Sequence, residues 1–171
     1  MIKEITAQEL DTESFIRTQI IEIQRIVGNG QAINALSGGV DSSTVTLLGH
    51  RALGERLKTV IIENGLMRAG EVEQVVSFFQ KRGIRVEVID VKAEFYAALK
   101  GITDPEAKRE AITQTFYRDV FGRLVRESGA KHLLQGTILT DVDETVAGIK
   151  RQHNVFEQLG IDSQVEFGYR I

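Results

Sequence analysis

Residues 32–43 read Ala-Ile-Asn-Ala-Leu-Ser-Gly-Gly-Val-Asp-Ser-Ser, an apolar run that leads into a glycine- and serine-rich turn. The run is typical of a short buried strand, and the residues after the turn favour a helix. Gly38 and Gly39 allow backbone conformations that other residues rarely adopt, and they let a ligand approach closely. The free N–H groups at the start of the helix point out of the turn, and serine hydroxyls lie beside them. The stretch therefore predicts a concave site for a phosphate or pyrophosphate group.

Asp41 is the unexpected residue in this turn. A carboxylate repels a bound phosphate unless a cation lies between them, so Asp41 indicates Mg²⁺. The stretch lacks the Gly-Lys-Ser/Thr ending of a Walker A loop, and it is not a G-x-G-x-x-G dinucleotide fingerprint. Taken alone, it also fits an ordinary strand–turn–helix corner in which serine caps the helix and glycine forms the turn.

The composition excludes several classes of protein. The 171 residues, 42% hydrophobic and 26% charged, are typical of one globular domain. A net charge of −3 provides no basic field for nucleic acid, and the absence of cysteine excludes disulfides and thiol chemistry. The charged N-terminus is unlike a signal peptide, and no apolar run approaches the roughly 18 residues that a membrane span needs. We therefore expect a cytoplasmic protein that binds neither nucleic acid nor membrane.

Hydrophobic spacing alternates between helices and strands along the chain. It predicts helices over 12–27, 42–53, 70–82, 93–100 and 105–128, and strands over 32–36, 57–62, 84–91 and 131–135. This alternation predicts an α/β fold, a parallel sheet with helices on both faces. We expect residues 1–30 to form an N-terminal helical segment that packs on a single domain spanning 31–171.

Three polar loops follow predicted strands, at 37–43, 63–68 and 135–144. Because ligands of parallel sheets bind outside the carboxyl ends of the strands, these loops predict a single nucleotide pocket. Glu63 is a candidate for ribose hydroxyls and Leu66 for the adenine ring, although both also fit a core strand followed by a polar turn.

Other charged stretches have two interpretations each. The acidic loop 135–144 could form a second side of a Mg²⁺–pyrophosphate site, or it could be solvated surface. Lys150 could neutralise phosphates, whereas His153 has no evident partner and equally fits an exposed surface position. Arg109 follows the acidic start of a predicted helix, where a solvated ion pair is also expected.

Strings spread over residues 32–155 resemble the ATP pyrophosphatase domain of the GMP synthetase family, within the N-type, or pyrophosphate-loop, ATP pyrophosphatases. The matching strings are residues 35–43, Asn64-Gly65-Leu66 with Arg68, Gly101 with Thr103-Asp104-Pro105-Glu106 and Lys108-Arg109, Phe116, Gln135-Gly136-Thr137-Ile138, Asp141, Glu144, Gly148-Ile149-Lys150 and His153-Asn154-Val155. The Thr-Asp-Pro-Glu and Gln-Gly-Thr strings are less generic than the pyrophosphate loop, and they distinguish this family from other members of the superfamily.

The resemblance implies a reaction and a set of roles. ATP binds with Mg²⁺, the C2 oxygen of XMP attacks the α-phosphorus and pyrophosphate leaves, and ammonia then displaces AMP to give GMP. The implied catalytic residues are Asp41 and Lys150, the latter on a mobile lid. The implied metal ligands are Asp41, Asp141 and Glu144. Contacts to XMP are implied for Arg109, Lys150 and His153. The implied ATP-binding residues are Ser37, Gly38, Gly39, Val40, Asp41, Ser42, Ser43, Glu63, Leu66, Gly136 and Thr137.

Three departures from the family pattern affect these expectations. Gln152 stands where the first of two histidines is usual, and Phe156-Glu157 stands where two glycines are usual, which predicts a stiffer lid. The sequence ends at Ile171, where the family continues into a C-terminal dimerisation domain, so we expect that domain to be absent. The chain is then either a fragment or a paralogue that activates another acceptor. Ammonia would be free or would come from a separate glutamine amidotransferase subunit, and a homodimer fits the family.

Two other functions stay open at this stage. One is an adenylating enzyme of the same fold that inserts sulfur or modifies tRNA, although cysteine and a basic patch are lacking. The other is a nucleotide-binding regulatory module without turnover, which the altered lid motif allows.

Overall fold

A computed structural model describes residues 11–136 together with the backbone of residues 166–167. Five parallel strands form one sheet in the order β3-β2-β1-β4-β5. The strands are β1 (Ala32–Ala35), β2 (Leu57–Glu63), β3 (Val86–Asp90), β4 (His132–Leu133) and β5 (Glu166–Phe167). The predicted parallel α/β sheet is confirmed, and β4 is shorter than the predicted strand over 131–135.

Helices connect the strands. They are α1 (Thr12–Val27), α2 (Val40–Leu53), α3 (Glu71–Gln80), α4 (Lys92–Leu99), α5 (Pro105–Gln114) and α6 (Gly122–Ser128), with a 3₁₀ turn at Gly54–Arg56 and a π-helical segment at Thr115–Phe121. Residues next to each other in the sequence start α5: the Asp104 carboxylate accepts the Ala107 N–H at 2.8 Å, and Pro105 occupies the first turn. None of the helices within residues 11–136 is long and apolar enough to cross a membrane.

The helices cover both faces of the sheet. Ile33, Val60 and Ile62 point to one face and pack against α4, the π segment and α6. Residues of the opposite parity pack against α1, α2 and α3, as Ala32 and Ile61 do. Gly49 lets α2 approach this second face, because a Cβ at Gly49 would lie 2.8 Å from side-chain atoms of Leu57 and Leu134. The predicted two-sided covering is confirmed.

The helix predicted over 105–128 is present over that whole range, but its middle is π-helical rather than α-helical. Apolar positions recur every four residues there: Val120 and Leu124 are buried in the cluster on the first face of the sheet, and Ile112 and Phe116 pack against it. A four-residue repeat is longer than the 3.6 residues of an α-helical turn. The wider π-helical turns over Thr115–Phe121 absorb the difference and keep this row facing the sheet.

Candidate functional site

The loop between β1 and α2 has the shape that the glycines predict. Gly38 has φ of +83°, a conformation that side chains with a Cβ rarely adopt. A Cβ at this position would also lie 2.7 Å from Cγ2 of Val75 on α3. Gly38 is therefore required both by its backbone angle and by the close approach of α3.

Serine hydroxyls hold the loop closed. The Ser42 hydroxyl accepts the Ser37 N–H at 3.2 Å and donates to the Gly39 carbonyl at 3.2 Å. The Ser37 and Ser42 hydroxyl oxygens lie 2.8 Å apart. The residue that precedes α2 is Gly39, and it supplies no side-chain cap, so the alternative of a serine N-cap is wrong.

The first turn of α2 presents main-chain donors to solvent. The first intrahelical hydrogen bond is from the Ser43 N–H to the Gly39 carbonyl at 3.0 Å. The N–H groups of residues 40–42 precede that bond and have no partner within the helix. Because the helix dipole adds partial positive charge at this end, the turn is suited to an anion.

Gly136 brings the loop after β4 onto the same turn. A Cβ on Gly136 would lie 3.0 Å from the carbonyl carbon and oxygen of Asp41. The Asp41 side chain is exposed beside this contact. Two of the three predicted loops thus meet, as the topology of a parallel sheet requires.

We expect Gly136→Ala to weaken pyrophosphate binding roughly tenfold, because the methyl group would push the β4 loop away from Asp41, and a displacement of this kind is costly at a binding site. Calorimetric titration with magnesium pyrophosphate measures the effect. Gly30→Ala is the matched control, since its Cβ would meet the Val27 carbonyl oxygen at the same 3.0 Å, but at the amino end of β1. Equal losses in the two variants would contradict a specific role for Gly136.

The loop after β2 is held by its own polar side chains. The Glu63 carboxylate accepts the Gly65 N–H at 2.8 Å, and the Asn64 side-chain oxygen accepts the Leu66 N–H at 2.9 Å. The Tyr96 hydroxyl on α4 donates to the Gly65 carbonyl at 3.3 Å. Leu66 is 46% exposed, so it is a surface residue rather than part of the core.

Asp90 ends β3 at the same edge of the sheet. Its carboxylate accepts the Lys92 N–H and pairs with the Lys92 ammonium group, each at 3.2 Å, and the backbone hydrogen bond in particular lowers the pKa of Asp90. The same ion pair raises the pKa of Lys92, and the nearby charge of Glu63 adds to this shift. A carboxyl group whose pKa is lowered by folding stabilises the protein at pH values above its ordinary pKa. That contribution is lost as the pH falls through the lowered pKa.

Arg109 lies in α5 and is exposed. Its guanidinium group pairs with both carboxylate oxygens of Glu106, at 2.9 and 3.0 Å. This is the surface ion pair that the helical spacing allowed. The contact of Arg109 with an acceptor nucleotide stays a prediction.

Five predicted site residues lie outside the described residues, namely Thr137, Asp141, Glu144, Lys150 and His153. Within residues 11–136, no three histidine, cysteine or acidic side chains are grouped as a metal would need. Mg²⁺ is commonly bound by one or two carboxylates together with the phosphates of its nucleotide. The exposed carboxylate of Asp41, beside the open amides of α2, fits that type of site.

A cleft of about 200 Å³ lies between the loop and the π segment. Its lining includes Ser37 and Ser42 on one side and Phe116 and Tyr117 on the other. The two aromatic rings pack edge to face with centroids 4.9 Å apart. The sequence analysis assigned no role to Tyr117. The one signal that could have indicated this wall of the cleft is the four-residue apolar repeat of the π segment, which includes Phe116.

The sheet and the loop define a class of protein. An open helix N-terminus after a glycine-rich turn, at the carboxyl edge of a parallel sheet, is typical of α/β domains that bind phosphate-bearing ligands. Residues 11–121 match the family model described as NAD synthase. The chain therefore belongs to the NAD synthase family of pyrophosphate-loop ATP pyrophosphatase domains.

Curated relatives share about half of their sequence with this chain over the matched region. A glutamine-hydrolyzing GMP synthase subunit of Archaeoglobus fulgidus is 49% identical over 146 residues, 85% of this chain and 47% of that protein. The subunit of the same name from Methanoregula boonei is 51% identical over 144 residues, 84% of this chain and 46% of that protein. The chain thus spans about half the length of the curated relatives that it matches.

Solved structures of NAD synthetases share the fold. Glutamine-dependent NAD⁺ synthetase from Acinetobacter baumannii, in complex with adenosine diphosphate, has a TM-score of 0.61 at 14% identity, over 98% of this chain and 36% of that one. NH3-dependent NAD synthetase from Campylobacter jejuni has a TM-score of 0.53 at 19% identity, over 63% of this chain and 50% of that one.

Proposed function

We propose that this chain is the ATP pyrophosphatase portion of an amidating ligase of the GMP synthetase type. ATP adenylates the C2 oxygen of XMP and releases pyrophosphate, and ammonia then displaces AMP to give GMP. The loop at 37–42, with its open amides at the carboxyl edge of the sheet, carries the proposal. The relatives named GMP synthase, at 49% and 51% identity, support the choice of acceptor.

The residues of the site would act mainly on the departing pyrophosphate. The open N–H groups of α2 would donate hydrogen bonds to it, while the hydroxyls of Ser37 and Ser42 hold the loop in place, and such preorganised donors stabilise charge that develops in the transition state. Asp41, with Asp141 and Glu144, would hold Mg²⁺, which neutralises phosphate charge when it is bound. Lys150 would contact the phosphates.

The nucleoside and the acceptor would lie on either side of this centre. Glu63 and Leu66, at the end of β2, are proposed to contact the ribose and adenine, with Gly136 and Thr137 near the phosphates. Arg109 and His153 are proposed to contact XMP. The exposure of Leu66 and the exposed position of Arg109 leave both side chains accessible to a ligand.

Partners follow from the same proposal. The relatives are named as glutamine-hydrolyzing GMP synthase subunits, so we propose a separate glutamine amidotransferase subunit as the source of ammonia. A homodimer, a cytoplasmic location and a division between a helical segment at 1–30 and the domain that follows remain part of this proposal.

The test is pyrophosphate release by the full-length protein. We expect release to require ATP, Mg²⁺ and XMP together, and GMP to form only when ammonia or the glutaminase subunit is added. The control omits XMP, because simple ATP hydrolysis would proceed without it. Pyrophosphate release that does not depend on XMP but requires another acceptor would favour a paralogue. Tight ATP binding without ATP–pyrophosphate exchange for any acceptor would favour a non-catalytic module.

A further inference from the structure

Three buried polar side chains connect β2 to the first turn of α2. The Thr59 hydroxyl donates to Oδ1 of Asn34 at 2.8 Å, and Nδ2 of Asn34 donates to the Thr46 hydroxyl at 2.6 Å. The Thr46 hydroxyl in turn donates to the carbonyl oxygen of Ser42 at 2.7 Å. The three residues are 3%, 1% and 0% exposed, respectively. We call this group, Thr59, Asn34 and Thr46, the polar relay.

The polar relay lies where apolar side chains would serve the fold. Asn34 and Thr59 are directly paired across β1 and β2, on the face that α2 covers. Burying an amide or a hydroxyl is costly unless it is hydrogen-bonded, and replacing all partners together with apolar groups of similar shape is often neutral or stabilising. Stability alone therefore does not account for three polar groups at this place.

The polar relay ends on the residue that closes the loop. Ser42 contributes its carbonyl oxygen to the relay and its hydroxyl to the bonds with Ser37 and Gly39. Each donor in the relay points toward Ser42, so the bond dipoles add along the chain. A threonine hydroxyl that bonds the carbonyl four residues earlier also bends a helix slightly, here at its first turn.

We propose that the polar relay positions the pyrophosphate loop, with Thr59, Asn34 and Thr46 as positioning residues that act through Ser42. It holds the first turn of α2 at a set orientation on β1 and β2, so the amides of residues 40–42 are aligned before a ligand binds. The choice of pyrophosphate as that ligand rests on the proposed function. The geometry of the loop does not depend on the proposed function, and it can be measured in the free protein.

The decisive variant replaces the whole relay with apolar groups of similar shape, Asn34→Leu/Thr46→Val/Thr59→Val. We expect an unchanged or higher melting temperature, faster hydrogen exchange at the hydrogen-bonded loop amides of Ser37, Gly39 and Ser43, and pyrophosphate binding weakened roughly 10- to 100-fold in the presence of Mg²⁺. Thr18→Val is the matched control, because its hydroxyl donates to the Ser14 carbonyl at 2.9 Å, the same bond on the exposed side of α1. It should change neither exchange at the loop nor binding.

Each result decides one question. A stable triple variant with wild-type hydrogen exchange at those three loop amides and wild-type pyrophosphate affinity would overturn the positioning role. If the wild-type protein binds no pyrophosphate, the proposed function fails, whereas loop exchange still tests the relay. If the triple variant does not fold, Thr46→Ser and Thr46→Val replace it, because serine keeps the hydroxyl and valine removes it. Slow hydrogen exchange at the loop amides in the serine variant alone supports the relay. Equal exchange rates in both variants overturn it.

Discussion

Gly38→Ala is expected to weaken binding of magnesium pyrophosphate by about 100-fold. The alanine would have to adopt φ near +83° and place its Cβ 2.7 Å from Cγ2 of Val75. Either the loop changes its conformation or α3 moves, and both displace the open amides of α2. Isothermal titration calorimetry measures the loss, and thermal unfolding measures the accompanying cost in stability.

Two controls separate the causes of that effect. Gly129→Ala has a similar backbone angle, φ of +67°, but no atom within 4 Å of the added Cβ, so it should cost about 1–2 kcal/mol of stability without affecting binding. The double variant Gly38→Ala/Val75→Ala removes the contact with Val75 and should recover part of the affinity. Wild-type binding by Gly38→Ala would contradict the proposed geometry of the anion site.

Asp41→Asn is expected to reduce turnover roughly 1000-fold, about 4 kcal/mol of transition-state stabilisation, if Asp41 holds Mg²⁺ beside the pyrophosphate. The sign of the effect on binding should depend on the metal. With Mg²⁺ present, pyrophosphate should bind more weakly because the cation loses a ligand. With Mg²⁺ removed by a chelator, pyrophosphate should bind more tightly, because the exposed carboxylate no longer repels it.

Asp119→Asn makes the same change of charge at an exposed position of the π segment, where the native carboxylate lies 3.9 Å from Arg118. The Asp119→Asn variant should bind pyrophosphate about as tightly as the wild type does, with and without Mg²⁺. A variant Asp41→Asn whose affinity falls equally under both conditions would show that Asp41 orders the loop rather than binding a cation.

Much of the fold was predictable because its signals are local. The apolar run before Ser37, the glycines after it and the alternation of strands with helices predict a parallel sheet with the loop at its carboxyl edge. The acid and the proline at the start of α5 act within one helical turn, so Asp104 caps Ala107 as its position indicates. The π segment was not predicted because an α-helix is the default interpretation of a continuous apolar stripe, even when the stripe repeats every four residues.

The sequence by itself determined the class of fold and the glycine- and serine-rich loop after β1, and it predicted an anion site with Asp41 beside a cation, since each depends on residue types that are neighbours along the chain. The tertiary structure alone decided that Val75 of α3 closes on Gly38, that Gly136 lies against Asp41, and that Thr59 and Asn34 meet Thr46 inside the domain. These contacts join residues far apart in the chain. Which residues meet in these contacts depends on how α2 and α3 pack on the sheet, and no local sequence pattern encodes that packing.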